Sequence, residues 1–243
     1  MHETELWITK LFNDHLAGLG NAFLGLVGMP GEHRPWTNYI TMQIVVFLLM
    51  VILFAILRPR LSVDRPGKLQ HIFELVHEFL HSESEDQVGH DAPKYLAFFG
   101  TIFLFVLFAN LIGIVPGFES PTMSPSVPLG CAMATFVYYN LMGLQAQGVG
   151  KYLAHFAGPM PLLAPLMVPI ELISHMARPL SLTIRLFANM YAGEQVTMVF
   201  LRLTFFLIPA LFMALHVFVS LLQAYIFALL TMMYVAGAVA HEH

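Results

Sequence analysis

Five side chains that carry or accept charge stand in one apolar stretch of the chain, Glu171, His175, Arg178, Arg185 and Glu194, and His216 and Gln223 follow in the next. From Tyr95 to the C-terminus the only Lys, Arg, Asp and Glu residues are Glu119, Lys151, Glu171, Arg178, Arg185, Glu194, Arg202 and Glu242. Glu171, Arg178, Arg185 and Glu194 fall inside hydrophobic sequence, where an ionised group costs roughly 2.5–3.5 kcal/mol on insertion scales. Groups kept at that cost point to ion movement or solute binding. Their chemistry divides by type. A guanidinium does not deprotonate, so Arg185 can act only as a fixed positive charge. Glu171, His175, Glu194 and His216 can take up and release protons, and such groups are the usual material of intramembrane relays.

Spacing sorts these residues onto helix faces, taking about 100° per residue. Glu171 and His175 are i, i+4 neighbours. Arg185 returns to within roughly 40° of the Glu171 face, and Ser181 and Asn189 flank it one turn away on either side. Glu194 points about 180° from Arg185. His216, Ser220 and Gln223 form a further stripe at i, i+4, i+7. Two polar surfaces result, one carrying Arg185 and one carrying Glu194, which could meet His216 across a helical hairpin. The competing reading is a neutral clasp in which Arg185 pairs with Glu171 or Glu194. The Asn beside the Arg, the Glu on the reverse face and the separate His/Gln stripe favour transport.

The elements that must position these groups are membrane helices. The chain has 243 residues, 58% hydrophobic and 11% charged, against about 45–50% and 25% in soluble domains. The fold class expected is an all-α polytopic membrane protein. A net charge of -4 gives no basic footprint for nucleic acid, and the single cysteine, Cys131, excludes a disulfide framework or a multi-cysteine metal site. About five spans are expected, near 39–57, 95–115, 127–146, 166–198 and 208–238, forming a single transmembrane domain over 39–243. Residues 1–38 read as an interfacial outer segment, with Trp36 and Tyr39 as a boundary belt. An amphipathic helix over 68–85, with Ile72, Phe73, Val76, Phe79 and Leu80 on one face, is expected on the inner membrane surface or against a partner. Arg58, Arg60, Arg65 and Lys68 place the first loop inside, hence the N-terminus outside and the C-terminus, His241-Glu242-His243, inside. A Gly-rich inner loop surrounds Gly148, Gly150 and Lys151. The fourth span would be roughly 50 Å long against a hydrocarbon core of about 30 Å. Either the last two helices tilt strongly as a hairpin or Pro179 breaks the first of them. His71, His77, His81 and His90 lack an HExxH pattern and read as a solvated face, so no metal site is expected.

The run Arg178-Pro-Leu-Ser-Leu-Thr-Ile-Arg185-Leu-Phe-Ala-Asn189-Met-Tyr-Ala-Gly193-Glu194 resembles the signature of subunit a of the F-type ATP synthases, Ser-Leu-x-x-Arg-Leu-Phe-x-Asn-Met-x-x-Gly-Glu. Three further stretches fit in order: Arg-Pro-Gly67-Lys-Leu-Gln, Asn110-Leu-Ile-Gly-Ile-Val-Pro116, and His216 with Gln223 in Leu-Leu-Gln-Ala-Tyr-Ile-Phe. The resemblance covers roughly residues 35 to 240, and its length suits the bacterial-type form. It implies a multi-pass stator in a bacterial plasma membrane, beside a rotating ring of c subunits that each carry a mid-membrane carboxylate. Peripheral-stalk b subunits and the remainder of the synthase are the other implied partners, with membrane lipid around them. Two aqueous half-channels would open to opposite sides. Arg185 matches the essential arginine between them, Asn189 and Gln223 its polar neighbours, Glu194 and His216 the outer access groups, and Glu171 the region of the opposite channel. Some relatives carry acidic residues near the position of Gly113, where this chain has none. Asn110 either lines the outer channel or bonds a neighbouring helix. No GxxxxGK[ST] P-loop occurs, so a non-nucleotide-binding, ion-translocating subunit without cofactor is expected. The alternatives are a secondary transporter of a small solute using the same cluster, and a haem anchor with His175 and His216 as axial ligands.

Overall fold

The structure is a computed structural model that describes residues 5–26, 28, 30–62, 66–115, 117–155, 164–203 and 207–239. Arg65, Pro116 and His241–His243, which enter the topology reading, lie outside these. The described residues form α1 (Trp7–Leu26), α2 (Asn38–Leu57), α3 (Lys68–Val88), α4 (Leu96–Leu111), α5 (Ser126–Gln147), α6 (Val149–His155), α7 (Ala164–Leu203) and α8 (Leu207–Val239), with single 3-10 turns between and no strand among them. Four stretches, Asn38–Arg60, Leu96–Ile114, Ser126–Gln147 and Ala210–Val239, are long and apolar enough to cross a membrane. The chain is an all-α polytopic membrane protein. The remaining long helix, α7, is the expected fourth span; Glu171, Arg178, Arg185 and Glu194 dilute its apolar character.

α7 runs unbroken through Pro169 and Pro179 over 40 residues, so Pro179 does not divide it. At 1.5 Å per residue it is about 60 Å long, twice a hydrocarbon core of about 30 Å. α8 packs against α3, α4, α5 and α7 and is the centre of the bundle. Its buried row contains Ser220, Ala224, Ala228 and Ala238 between Phe227, Met232 and Val235. Small side chains let several helices approach one helix closely, and that close approach drives helix association in lipid, where apolar burial does not. The closest approach involves Gly143 of α5, where a Cβ would lie 2.5 Å from the Tyr152 ring and 3.0 Å from the carbonyl oxygen of Ala238. A backbone carbonyl cannot yield as a side-chain tip can. Gly143→Leu is therefore expected to separate α5 from α8 and prevent accumulation of the chain, measured as its membrane level by immunoblot; a wild-type level would contradict this packing.

Three segments differ from the sequence expectation. The Gly-rich inner loop contains the helix α6: Gly148 takes a φ of +78° at the end of α5, a backbone conformation that favours glycine, and the chain then re-enters helix. The N-terminal segment contains the 20-residue helix α1, hooked to the start of α2 by Asn13, whose amide nitrogen donates to the Trp36 carbonyl at 3.0 Å while its oxygen accepts from the Trp36 N–H at 3.0 Å. The amphipathic helix α3 packs onto the bundle rather than only onto a surface. Leu80 and Ser84 are buried, Phe73 and Val76 lie against the core, and the Tyr225 hydroxyl of α8 donates to Glu83 at 3.2 Å. Ile72 and Phe79, expected on the same face, are exposed together with Leu69 and Leu75. The apolar arc of α3 is wider than one contact, so the fold buries half of it.

Candidate functional site

Arg185 stands near the middle of α7 at a seam. On one side of it Leu182, Leu186 and Met190 are buried in the bundle; on the other, Ser181, Ile184 and Ala188 are exposed. Arg185 is half-buried as a residue and makes no hydrogen bond or ion pair with any described residue. The neutral clasp is therefore not formed. Glu171 pairs instead with Arg178, Nη2 to Oε1 at 3.7 Å, because residues seven apart share a face while Glu194 lies half a turn away. One turn after Arg185, the Asn189 amide nitrogen donates to Gln223 Oε1 at 2.8 Å. Gln223 is buried, so this bond fixes the middle of α7 to the middle of α8 beside the arginine.

Toward the C-terminal end of α7 lies a cavity of about 290 Å³ between the two helices, lined by Asn189, Gly193, Thr197, Phe212 and His216 among others. His216 is buried, and its Nε2 has no hydrogen-bond partner among the described residues. The residue opposite it is Gly193, whose missing Cβ would sit 2.9 Å from Nδ1. Glu194 does not meet His216. The offset of one residue rotates it by about 100°, and it makes no hydrogen bond or ion pair with a described residue. One turn along α8, the Ser220 hydroxyl lies 4.0 Å from Met190 Sδ, and its carbonyl accepts from Asn110 Nδ2 at a long 3.5 Å. Thr122 donates to Asn110 Oδ1 at 2.7 Å. Asn110 is thus fully buried and ties α4 to α8, the second of its two open readings.

Toward the N-terminal end of α7 lies another polar cluster. His175 Nε2 is 2.9 Å from Asn140 Oδ1 and 3.2 Å from the Tyr139 hydroxyl. The Tyr152 hydroxyl donates to the same Asn140 oxygen at 2.8 Å. Arg178 lies over the rings of Tyr139 and Tyr234, at 5.9 and 5.2 Å. Glu171 and His175, one turn apart on α7, are joined in this cluster by Arg178 and by Tyr139, Asn140, Tyr152 and Tyr234. The signal for Tyr139 and Asn140 was the adjacent polar pair inside an apolar span; Tyr152 was concealed in what read as a loop.

Along α7 the three groups are separate. Glu171 lies about 21 Å and Glu194 about 14 Å from Arg185 by helical rise. His175 lies about 27 Å from Gly193, the residue that faces His216, so the two histidines cannot ligate one haem. The arrangement can hold one cation, unneutralised among the described residues, between two hydrogen-bonding clusters that do not touch, with the cation beside the exposed face of Ser181, Ile184 and Ala188.

Residues 39–236 match the family model described as ATP synthase A chain. The chain is 76% identical over 233 residues to ATP synthase subunit a of Solibacter usitatus, covering 96% of this chain and all of the relative. It is 47% identical over 241 residues to ATP synthase subunit a of Koribacter versatilis, covering 98% of each. ATP synthase subunit a of Sulfurihydrogenibium sp. is 40% identical over 207 residues, 85% of this chain and 99% of that one. A match of this length, which takes in the Arg185 signature, has one reading: the chain belongs to the ATP synthase A chain family, the membrane-embedded subunit a.

Proposed function

We propose that the chain is the stator of a bacterial ATP synthase membrane sector, and that it passes protons to and from carboxylates on a rotating ring of c subunits. The observation that carries this reading is Arg185, without an ion pair among the described residues, at the edge of the exposed Ser181–Ile184–Ala188 face and between two polar clusters that do not meet. A ring carboxylate crossing lipid must be protonated, since a buried charge is expensive. Beside a fixed guanidinium its ionised form is favoured, so it releases its proton there and accepts another after passing. The same positive charge repels protons and prevents direct leakage between the two clusters. The His216 cavity with Glu194 serves the outer half-channel, and Glu171, His175 and Asn140 the inner one. Each proton crossing 100 mV delivers about 2.3 kcal/mol, so several are needed for each ATP.

In this reading the N-terminus is outside and the C-terminus cytoplasmic, and peripheral-stalk b subunits hold the chain still against the ring. Arg185 provides charge and the acids and imidazoles carry protons; the chain itself binds no nucleotide and no cofactor. Glu194→Gln tests the outer path. Proton flux through the assembled membrane sector in vesicles should fall about ten-fold, as removal of one proton-transfer group typically costs 10²–10⁴-fold where it is obligatory and water can substitute in an aqueous channel. An unchanged flux would remove Glu194 from the path.

A further inference from the structure

Two further cavities lie away from the translocation residues, where α2 ends and α3 begins. The smaller, about 240 Å³, is lined by Leu53, Ile56, Arg60, Lys68, Gln70 and Phe73 among others. The larger, about 550 Å³, is lined mostly by apolar groups, including Phe54, Phe73, Leu96, Gly100 and Leu104 from α2, α3 and α4, with His77 and Thr101 as its polar members. Phe73 belongs to both, and the Phe54 ring stands 5.6 Å from it. A basic mouth therefore continues over one aromatic side chain into an apolar recess. Arg60 and Lys68 are exposed, and neither has a carboxylate partner among the described residues. The nearest acid in the sequence, Asp64, lies outside the described residues and stands among four cations in the same loop, Arg58, Arg60, Arg65 and Lys68; Glu74 is engaged by Gln70 at 2.7 Å and by His71 at 3.5 Å. The recess is of a size suited to a small apolar ligand, and Gly100 leaves its wall open, since a Cβ there would meet only Leu80 Cδ1 at 3.9 Å.

We propose that this site holds one anionic phospholipid, its phosphate between Arg60 and Lys68 and one acyl chain passing Phe73 into the recess. A helix from another protein would need no excess of cations at the mouth of the recess. A zwitterionic lipid would gain nothing net from two positive charges, whereas clustered Lys and Arg at a membrane boundary select anionic headgroups. Bound there, the lipid would fill the space between α2, α3 and α4 and seat α3 on the bundle.

The test uses the assembled synthase in phosphatidylcholine vesicles doped with phosphatidylglycerol that carries a photoactivatable group in its acyl chain. Cross-linked peptides should map to residues 73–80 and 96–104. Arg60→Gln with Lys68→Gln should lower that labelling by roughly five-fold for each charge removed. Gly100→Leu, which fills the recess and leaves both cations, should lower it as far. Photoactivatable phosphatidylcholine should label these peptides several-fold less than phosphatidylglycerol does. Equal labelling by the two lipids would overturn the proposal, as would cross-links to another subunit in their place. Persistence of labelling in either variant would also overturn it.

Discussion

Arg185→Ala is expected to abolish proton-driven ATP synthesis, lowering it by roughly a hundred-fold or more, since truncating one partner of a desolvated charge pair costs about 2–5 kcal/mol and each 1.4 kcal/mol is about ten-fold. The chain should still assemble. Arg185 makes no hydrogen bond or ion pair with a described residue, and the packing row beside it, Leu182, Leu186 and Met190, is untouched by the change. The substitution should also raise passive proton leakage through the sector, because the repelling charge between the two clusters is gone. Arg185→Lys should recover only part of the synthesis: the ammonium keeps the charge but is a more strongly hydrated point charge without the planar fork. Synthesis and leakage are both measured in vesicles carrying the assembled complex. Retained synthesis in Arg185→Ala would refute the assigned role, and an absent chain would refute the claim that Arg185 is not a packing residue.

Gly193→Leu is expected to close the outer path. A Cβ alone at this position comes within 2.9 Å of His216 Nδ1, and the remaining methyl groups would project into the 290 Å³ cavity that His216 lines. Proton flux should fall about ten-fold or more, since a water-conducting cavity needs room for each water and polar partners to hold it. Gly193→Ala should have a milder effect, because the His216 ring can swing away from one methyl group. Both variants should reach the membrane, since the cavity wall and not the packed row is changed. Wild-type flux in Gly193→Leu would take the His216 cavity off the proton path.

Much of this arrangement was legible in the sequence because charge is scarce. Once the spans were drawn, Arg185, Asn189 and Gln223 could be placed by helical arithmetic, and the Asn189–Gln223 bond joins the two stripes that arithmetic identified. Helix existence followed from apolar length, so α2, α4, α5, α7 and α8 begin and end within a few residues of their expected bounds. Relations between helices were less readable. Periodicity fixes direction around one axis but not the register of two, so it allows Glu194 to meet His216 where a shift of one residue puts Gly193 there. The proton partners of His175 were hidden for a similar reason. Tyr139 and Asn140 belong to a helix over a hundred ångströms of chain path away when extended, at about 3.3–3.6 Å per residue, and only packing joins them. Pro179 was given as a possible break, yet α7 continues through it. A proline in a packed membrane helix is tolerated where neighbours satisfy the backbone. The helix α1 is harder to read because Lys10, Asn13, Asp14 and His15 interleave with its apolar residues and dilute the composition of a span.

The central claim is that Arg185 faces a ring carboxylate across the open side of α7. Ser181 and Ala188 flank it on that side and are exposed, while Leu186 points into the bundle and is fully buried. The direct measurement is disulfide formation in the assembled complex between Ala188→Cys or Ser181→Cys and a cysteine placed beside the ring carboxylate. The account predicts cross-links from both positions and none from Leu186→Cys. Absence of cross-links from Ser181 and Ala188, with cross-links from an exposed position of α2 instead, would contradict it.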